Sequence, residues 1–140
     1  MLTRFALLIC AAAALGAATS AGAQSLKSLR AQDAEEAALS REVAYTNSVC
    51  GADMDASIDW PASSDWPEGD SLWSACDGAL GAIEAVCRSG AGKSRLSELS
   101  SFVCAGDGSG PDLSGSVFRF GATPGGDGFS ETSGYLEGAL

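Results

Sequence analysis

Four cysteines, Cys50, Cys76, Cys87 and Cys104, stand downstream of a short apolar leader, and this pairing of features constrains the fold more than any other. Met1 to Arg4 carry one basic side chain, Phe5 to Leu15 are almost wholly apolar, and Ala21-Gly22-Ala23 place small residues before Gln24. This is the pattern of a secretory signal peptide cleaved between Ala23 and Gln24. The chain therefore reads as a leader over 1–23, a flexible segment over 24–33 and a domain over 34–140. The apolar run falls short of the roughly 20 residues that span a bilayer. No second run follows, so the mature chain is expected to carry no membrane anchor. Cys10 lies inside the apolar run behind bulky Ile9, with too little chain before it for lipid attachment, and it leaves with the leader. The remaining cysteines are even in number in a chain bound for the periplasm or the exterior, which reads as two disulfides.

Helical spacing limits how they pair. Trp73, Cys76, Leu80, Ile83 and Cys87 recur at intervals of three and four residues behind Asp70, a capping residue type. Cys76 and Cys87 are then about 16 Å apart at ~1.5 Å per residue, whereas a disulfide needs Cα atoms within roughly 7 Å. This removes Cys76–Cys87 and, with it, Cys50–Cys104. Met54, Ala56, Ile58 and Trp60 alternate with polar residues, as in a strand that leads away from Cys50. The helix must return along that strand to cover its apolar side, which carries Cys87 back towards Cys50. The segment after Gly92 then runs antiparallel to the helix and carries Cys104 towards Cys76. The expected bridges are Cys50–Cys87 and Cys76–Cys104.

Composition explains why bridges are needed. The 117 residues from Gln24 onward contain 21 of Leu, Ile, Val and Phe, or 18%, with seven basic residues against eighteen acidic ones, a net charge of −11. Such a chain is near the border below which too little apolar surface is buried to fold. Two disulfides at roughly 2–4 kcal/mol each supply a large share of the roughly 5–15 kcal/mol of a typical domain.

Around the cysteines the elements are coarse. Ala34 to Cys50 is rich in helix formers and ends at Gly51. Leu99 to Cys104 reads as a strand, although Leu96, Leu99 and Val103 also fit a helix. A glycine-rich connection from Ala105 to Gly110 leads to a strand over Ser116 to Phe120, which would pair with it as a hairpin. Phe129 to Leu140 has a helical tendency interrupted by Gly134 and Gly138. The expected architecture is one α+β domain in the order α-β-α-β-β-α, its helices packed on a short antiparallel sheet.

Function is narrowed mainly by exclusion. Nine acidic residues and no Lys or Arg lie between Glu42 and Cys87, a surface that disfavours nucleic acid and anionic lipid. Histidine is absent, which removes Ser–His–Asp and Cys–His catalysis and His-bearing zinc sites, and oxidised cysteines supply no thiolate. Gly90-Ala91-Gly92-Lys93-Ser94 echoes the end of a phosphate-binding loop, but Cys87 occupies the required first glycine and the segment follows a helix; it reads as a turn. Asp107-Gly108-Ser109-Gly110 and Gly125-Gly126-Asp127-Gly128 lack the alternating ligands and closing Glu of a calcium loop and read as turns too. Carboxylate pairs such as Asp53 and Asp55, or Asp59 and Asp65, could serve glycoside hydrolysis only at a separation of roughly 5–10 Å.

Three tryptophans, Trp60, Trp66 and Trp73, lie within fourteen residues. Trp60 and Trp73 fall on apolar stripes and belong to the core; Trp66, with Asp65 and Glu68 beside it, is the candidate binding surface for a basic protein or a glycan. The expectation is a noncatalytic binding or accessory domain of the cell envelope that needs no cofactor or metal. The alternative is a small carboxylate-dependent hydrolase of envelope polysaccharide.

Overall fold

Helix-forming residues without glycine or proline from Gln24 to Cys50 make one long helix, α1 (Ala18–Cys50), which stops where Gly51 turns left-handed at φ 68°. The computed structural model describes the backbone of residues 18–140 and the side chains from Ser25 onward. Residues 1–17 of the leader lie outside the described residues, and the segment 24–33 lies within α1. The chain divides at Ala31 into two units. In the first, Leu26 and Leu29 are exposed; the remainder concerns the second, from Gln32 onward.

Strand β1 (Asp55–Ile58) is followed by a single 3-10 turn (Pro61–Ser63), helix α2 (Leu72–Ser89), a short helix α3 (Lys93–Leu96), strands β2 (Ser101–Ala105), β3 (Gly110–Ser114) and β4 (Val117–Gly121), and helix α4 (Gly128–Ala139). The strands lie in the order β1-β2-β4-β3. β1 and β2 are parallel, as are β2 and β4, and only β3 and β4 are antiparallel. The sheet is thus mixed, which corrects the antiparallel expectation. Ser101–Ala105 and Ser116–Phe120 do not form a hairpin with each other, because the intervening residues supply an extra edge strand, β3, that takes the hairpin position. Gly115, at φ 61°, provides the left-handed first position of a two-residue turn between β3 and β4.

All the helical cover lies on one side of the sheet. Ile58, Phe102, Cys104, Phe118 and Phe120 are buried there against Leu39, Val43, Leu72, Leu80 and Ile83 of α1 and α2. Phe102 and Phe118, partners in register, stack with centroids 6.0 Å apart, and Tyr135 of α4 meets Phe118 edge-on at 6.4 Å. The opposite sheet face carries Asp55, Ser57, Val103, Arg119 and Asp112 and stays in solvent. α2 and α4 approach closely at Gly78, where a Cβ would stand 2.8 Å from the Phe129 amide nitrogen.

Both disulfides join as the spacing requires: Cys50–Cys87 at Cα 5.2 Å and Cys76–Cys104 at Cα 5.9 Å. The first ties the carboxyl end of α1 to that of α2; the second ties the start of α2 to the buried face of β2. No described helix is long and apolar enough to cross a membrane.

Candidate functional site

The three parallel strands deliver their carboxyl ends to one rim, where the segments after β1, β2 and β4 converge. Ligands of sheets with parallel strands bind at such ends, because the connecting loops can vary there without disturbing the ladder. Ala62 and Asp65 from the first segment, Gly106, Asp107 and Gly108 from the second, and Ala122, Thr123 and Pro124 from the third enclose an open depression of about 350 Å³. On the other side of Pro124 a second depression, of about 380 Å³, is lined by Trp66, Asp70, Ser71, Ser74 and Gly125.

Trp66 lines the second depression and packs against Gly106 of the first. Its ring lies over Gly106, so close that a Cβ there would stand 2.8 Å from Cε3, and its Nε1 donates to the Asp70 carbonyl at 3.1 Å. The 3-10 turn holds it in place. The Ala62 amide donates to Asp59 Oδ1 at 3.2 Å, and the Trp66 amide to the Ser63 carbonyl at 3.0 Å. The buried Ser63 hydroxyl donates to the Asp59 carbonyl at 2.6 Å and accepts from the Gly106 amide at 2.8 Å, which locks the loop after β1 to the loop after β2.

An ion cluster fixes the rim from the open sheet face. Arg119 on β4 donates through Nη2 to Asp107 Oδ2 at 2.7 Å and to Asp59 Oδ2 at 3.4 Å, and through Nη1 to the Ser109 hydroxyl at 2.7 Å. Ser109 in turn donates its hydroxyl to Asp107 Oδ1 at 2.7 Å and its amide to the same oxygen at 3.1 Å. Arg119 above all, then Ser109, hold the Asp107 carboxyl down at about 2, and Asp107 in turn raises the Arg119 guanidinium. Gly121 lies beneath this loop, and a Cβ there would meet Ser109 and Asp107 at less than van der Waals contact.

Of the residues singled out in the sequence, Asp65 and Trp66 come together at this rim, both at solvent. Glu68 is exposed but lines neither depression. Trp60 and Trp73 are half-buried against the core and are held by α1: Glu36 accepts from Trp60 Nε1 at 2.7 Å, and Glu35 accepts from the Trp73 amide at 2.8 Å. The Asp107 loop is occupied by its pairing with Arg119, and Asp127 caps α4 by accepting from the Ser130 amide at 3.1 Å. The phosphate-loop echo is the turn from α2 to α3, with Gly90 and Gly92 both left-handed. Among the described residues no three His, Cys, Asp or Glu side chains are grouped to hold a metal ion. The Arg119 cluster escaped sequence reading. Its signal was an arginine alternating with Phe118 and Phe120, and therefore on the polar face, with no other basic residue after Arg95.

Chemically, the rim offers carboxylate and carbonyl acceptors beside one flat indole. Arg119 favours the ionised form of Asp107, and Asp77, whose carboxyl burial raises, lies on α2 and lines neither depression. No family model, no curated protein and no solved structure matches the chain.

Proposed function

We propose that this chain is an exported, noncatalytic binding or accessory domain of the cell envelope that takes a basic protein segment at the rim formed by Asp65, Trp66 and Pro124. The single observation that carries this reading is the half-exposed Trp66 at the convergence of three loops, lining one depression and packed over Gly106, with exposed Asp65 beside it. Indole faces and carboxylates together attract Lys and Arg side chains. The base-free stretch from Glu42 to Cys87 extends the negative field around it. Two disulfides fit an oxidising compartment, in keeping with export to the periplasm or exterior after cleavage near Ala23.

The test is a titration of the chain from Gln24 with tetra-arginine, followed by the indole and amide resonances. The Trp66 indole and the Gly106 and Asp107 amides should shift. Affinity should fall severalfold as ionic strength rises from about 0.05 to about 0.5 M, and Trp66→Ala should weaken it further. Shifts that spread evenly over the acidic surface would overturn the reading. So would turnover of a cell-wall glycan that Asp65→Asn abolishes.

A further inference from the structure

The two edges of the sheet are treated differently. On β3 the outward-facing positions are 111 and 113: Pro111 has no amide hydrogen, and the Leu113 amide donates to the Tyr135 hydroxyl at 2.8 Å. That edge is closed to another strand. On β1 the odd-numbered residues bond to β2, with the Asp55 amide on the Ser100 carbonyl at 3.0 Å and the Asp59 amide on the Cys104 carbonyl at 2.8 Å. Met54, Ala56 and Ile58 therefore direct their backbone groups outward.

Asn47 of α1 already satisfies Met54 as a neighbouring strand would. Its Oδ1 accepts from the Met54 amide at 2.9 Å and its Nδ2 donates to the Met54 carbonyl at 3.0 Å. The Ile58 carbonyl accepts from the Trp60 amide at 3.1 Å. Between these two closures the amide and carbonyl of Ala56 and the amide of Ile58 have no partner among the described residues. Beside them lies a groove of about 410 Å³ between α1 and β1, lined by Ser40, Val43, Ala44, Met54 and Ala56.

We infer that this stretch of β1 accepts an extended segment of a partner protein as an added strand, and that the segment alternates basic with small apolar residues. The pattern follows from the two faces of the sheet. On the helix side an incoming side chain enters the groove, whose wall of Ser40, Val43 and Ala44 leaves space for Val or Ala. On the open side it stands beside Asp55, Ser57 and Asp59, where Lys or Arg is complementary. A second copy of this chain, paired β1 to β1, would set these aspartates against each other, so charge selects a basic partner over self-association. This site is separate from the Trp66 rim and does not depend on it.

The test uses the peptide Lys-Val-Lys-Val-Lys-Val with both ends blocked, titrated into the chain from Gln24 and followed residue by residue through backbone amide resonances and their hydrogen exchange. The Ala56 and Ile58 amides should shift and gain protection. A peptide N-methylated on every residue, which removes the amides facing β1 in either strand direction, should bind at least ~10-fold more weakly. Ala56→Pro removes only an outward donor and leaves the bonds to β2 intact; it should lower affinity by a similar factor while the melting temperature is kept, and Asp55→Lys should lower it too. The rim also attracts Lys, so binding at β1 is read from the Ala56 and Ile58 amides alone; these should titrate at the same peptide concentrations whether or not the rim resonances shift, which separates failure here from failure of the rim reading. Equal binding by the N-methylated peptide, shifts confined to the rim, or a β1-mediated dimer in place of peptide binding would each overturn the inference.

Discussion

Because Arg119 and Ser109 hold the Asp107 carboxyl at about 2, against about 3.9 in an unfolded chain, Asp107 is a source of pH-dependent stability. A carboxyl lowered by folding stabilises above its unfolded value and ceases to do so as pH falls through its folded one. The contribution is therefore whole at pH 5 and disappears towards pH 2. Partial exposure of the pair screens it to about 1 kcal/mol. Asp107→Asn should accordingly be less stable than the parent by about that amount in urea unfolding at pH 5, and the gap should narrow progressively as pH is lowered through 2; a constant gap would mean that the pair stores no charge-dependent energy. At Gly106 the issue is space. A methyl group there meets the face of Trp66, so Gly106→Ala should cost about 1–3 kcal/mol by overpacking and shift the Trp66 indole resonance. Had Trp66 stood free of the loop, neither effect would be seen. These contacts join residues 40 or more apart, Gly106 to Ser63 and Trp66, which is why local spacing brought out Trp66 as a surface candidate but not what it rests on.

At the scale of elements, the parts that were legible are those whose own residues enforce them. The stripe on α2 and the alternation on β1 are local periodicities, and both elements form there, although β1 ends at Ile58 and Trp60, expected to continue its alternation, heads the 3-10 turn. β3 begins at the end of the connection expected over Ala105 to Gly110 and carries no strand signal of its own, because Gly110, Pro111, Asp112 and Ser114 have poor strand propensity and only Leu113 has a large apolar side chain to bury. β4 and Tyr135 make it a strand from outside, and that tertiary override moved the hairpin and turned an expected antiparallel sheet into a mixed one. α1 shows the same reach across the chain. Its Glu35 carboxylate accepts from the Trp73 amide and the Ser71 hydroxyl, 2.8 and 3.2 Å away, and so caps the start of α2 from a different helix. Carboxylates at helix starts are favourable through both the hydrogen bond and the helix dipole. Glu35→Ala should cost about 1–2 kcal/mol in chemical denaturation, with the loss in hydrogen-exchange protection concentrated in the first turn of α2. An even loss over the helix would instead mean that Ser71 alone sets its start.

For the whole molecule the question is how a chain with 18% Leu, Ile, Val and Phe after Gln24 and a net charge of −11 stays folded. The two bridges close separations of 37 and 28 residues, each of which restricts the unfolded chain by about 3.5–4 kcal/mol in the loop-entropy account. Together they approach about 7 kcal/mol, comparable to the whole stability of a typical small domain. Cys50, Cys76, Cys87 and Cys104 are also buried core side chains, so replacement by alanine removes packed sulfur as well as the link. Removing either bridge as a Cys→Ala pair should therefore leave a folded protein with a lowered urea midpoint. Removing both should leave a chain without cooperative unfolding at low salt. Self-repulsion of the acidic surface opposes compaction, and salt screens it beyond about 10 Å at 0.1 M. Adding salt should then restore part of the cooperative transition to the doubly substituted chain, and shift the parent far less. A doubly substituted chain as cooperative as the parent at low salt would show that the apolar core suffices without its links.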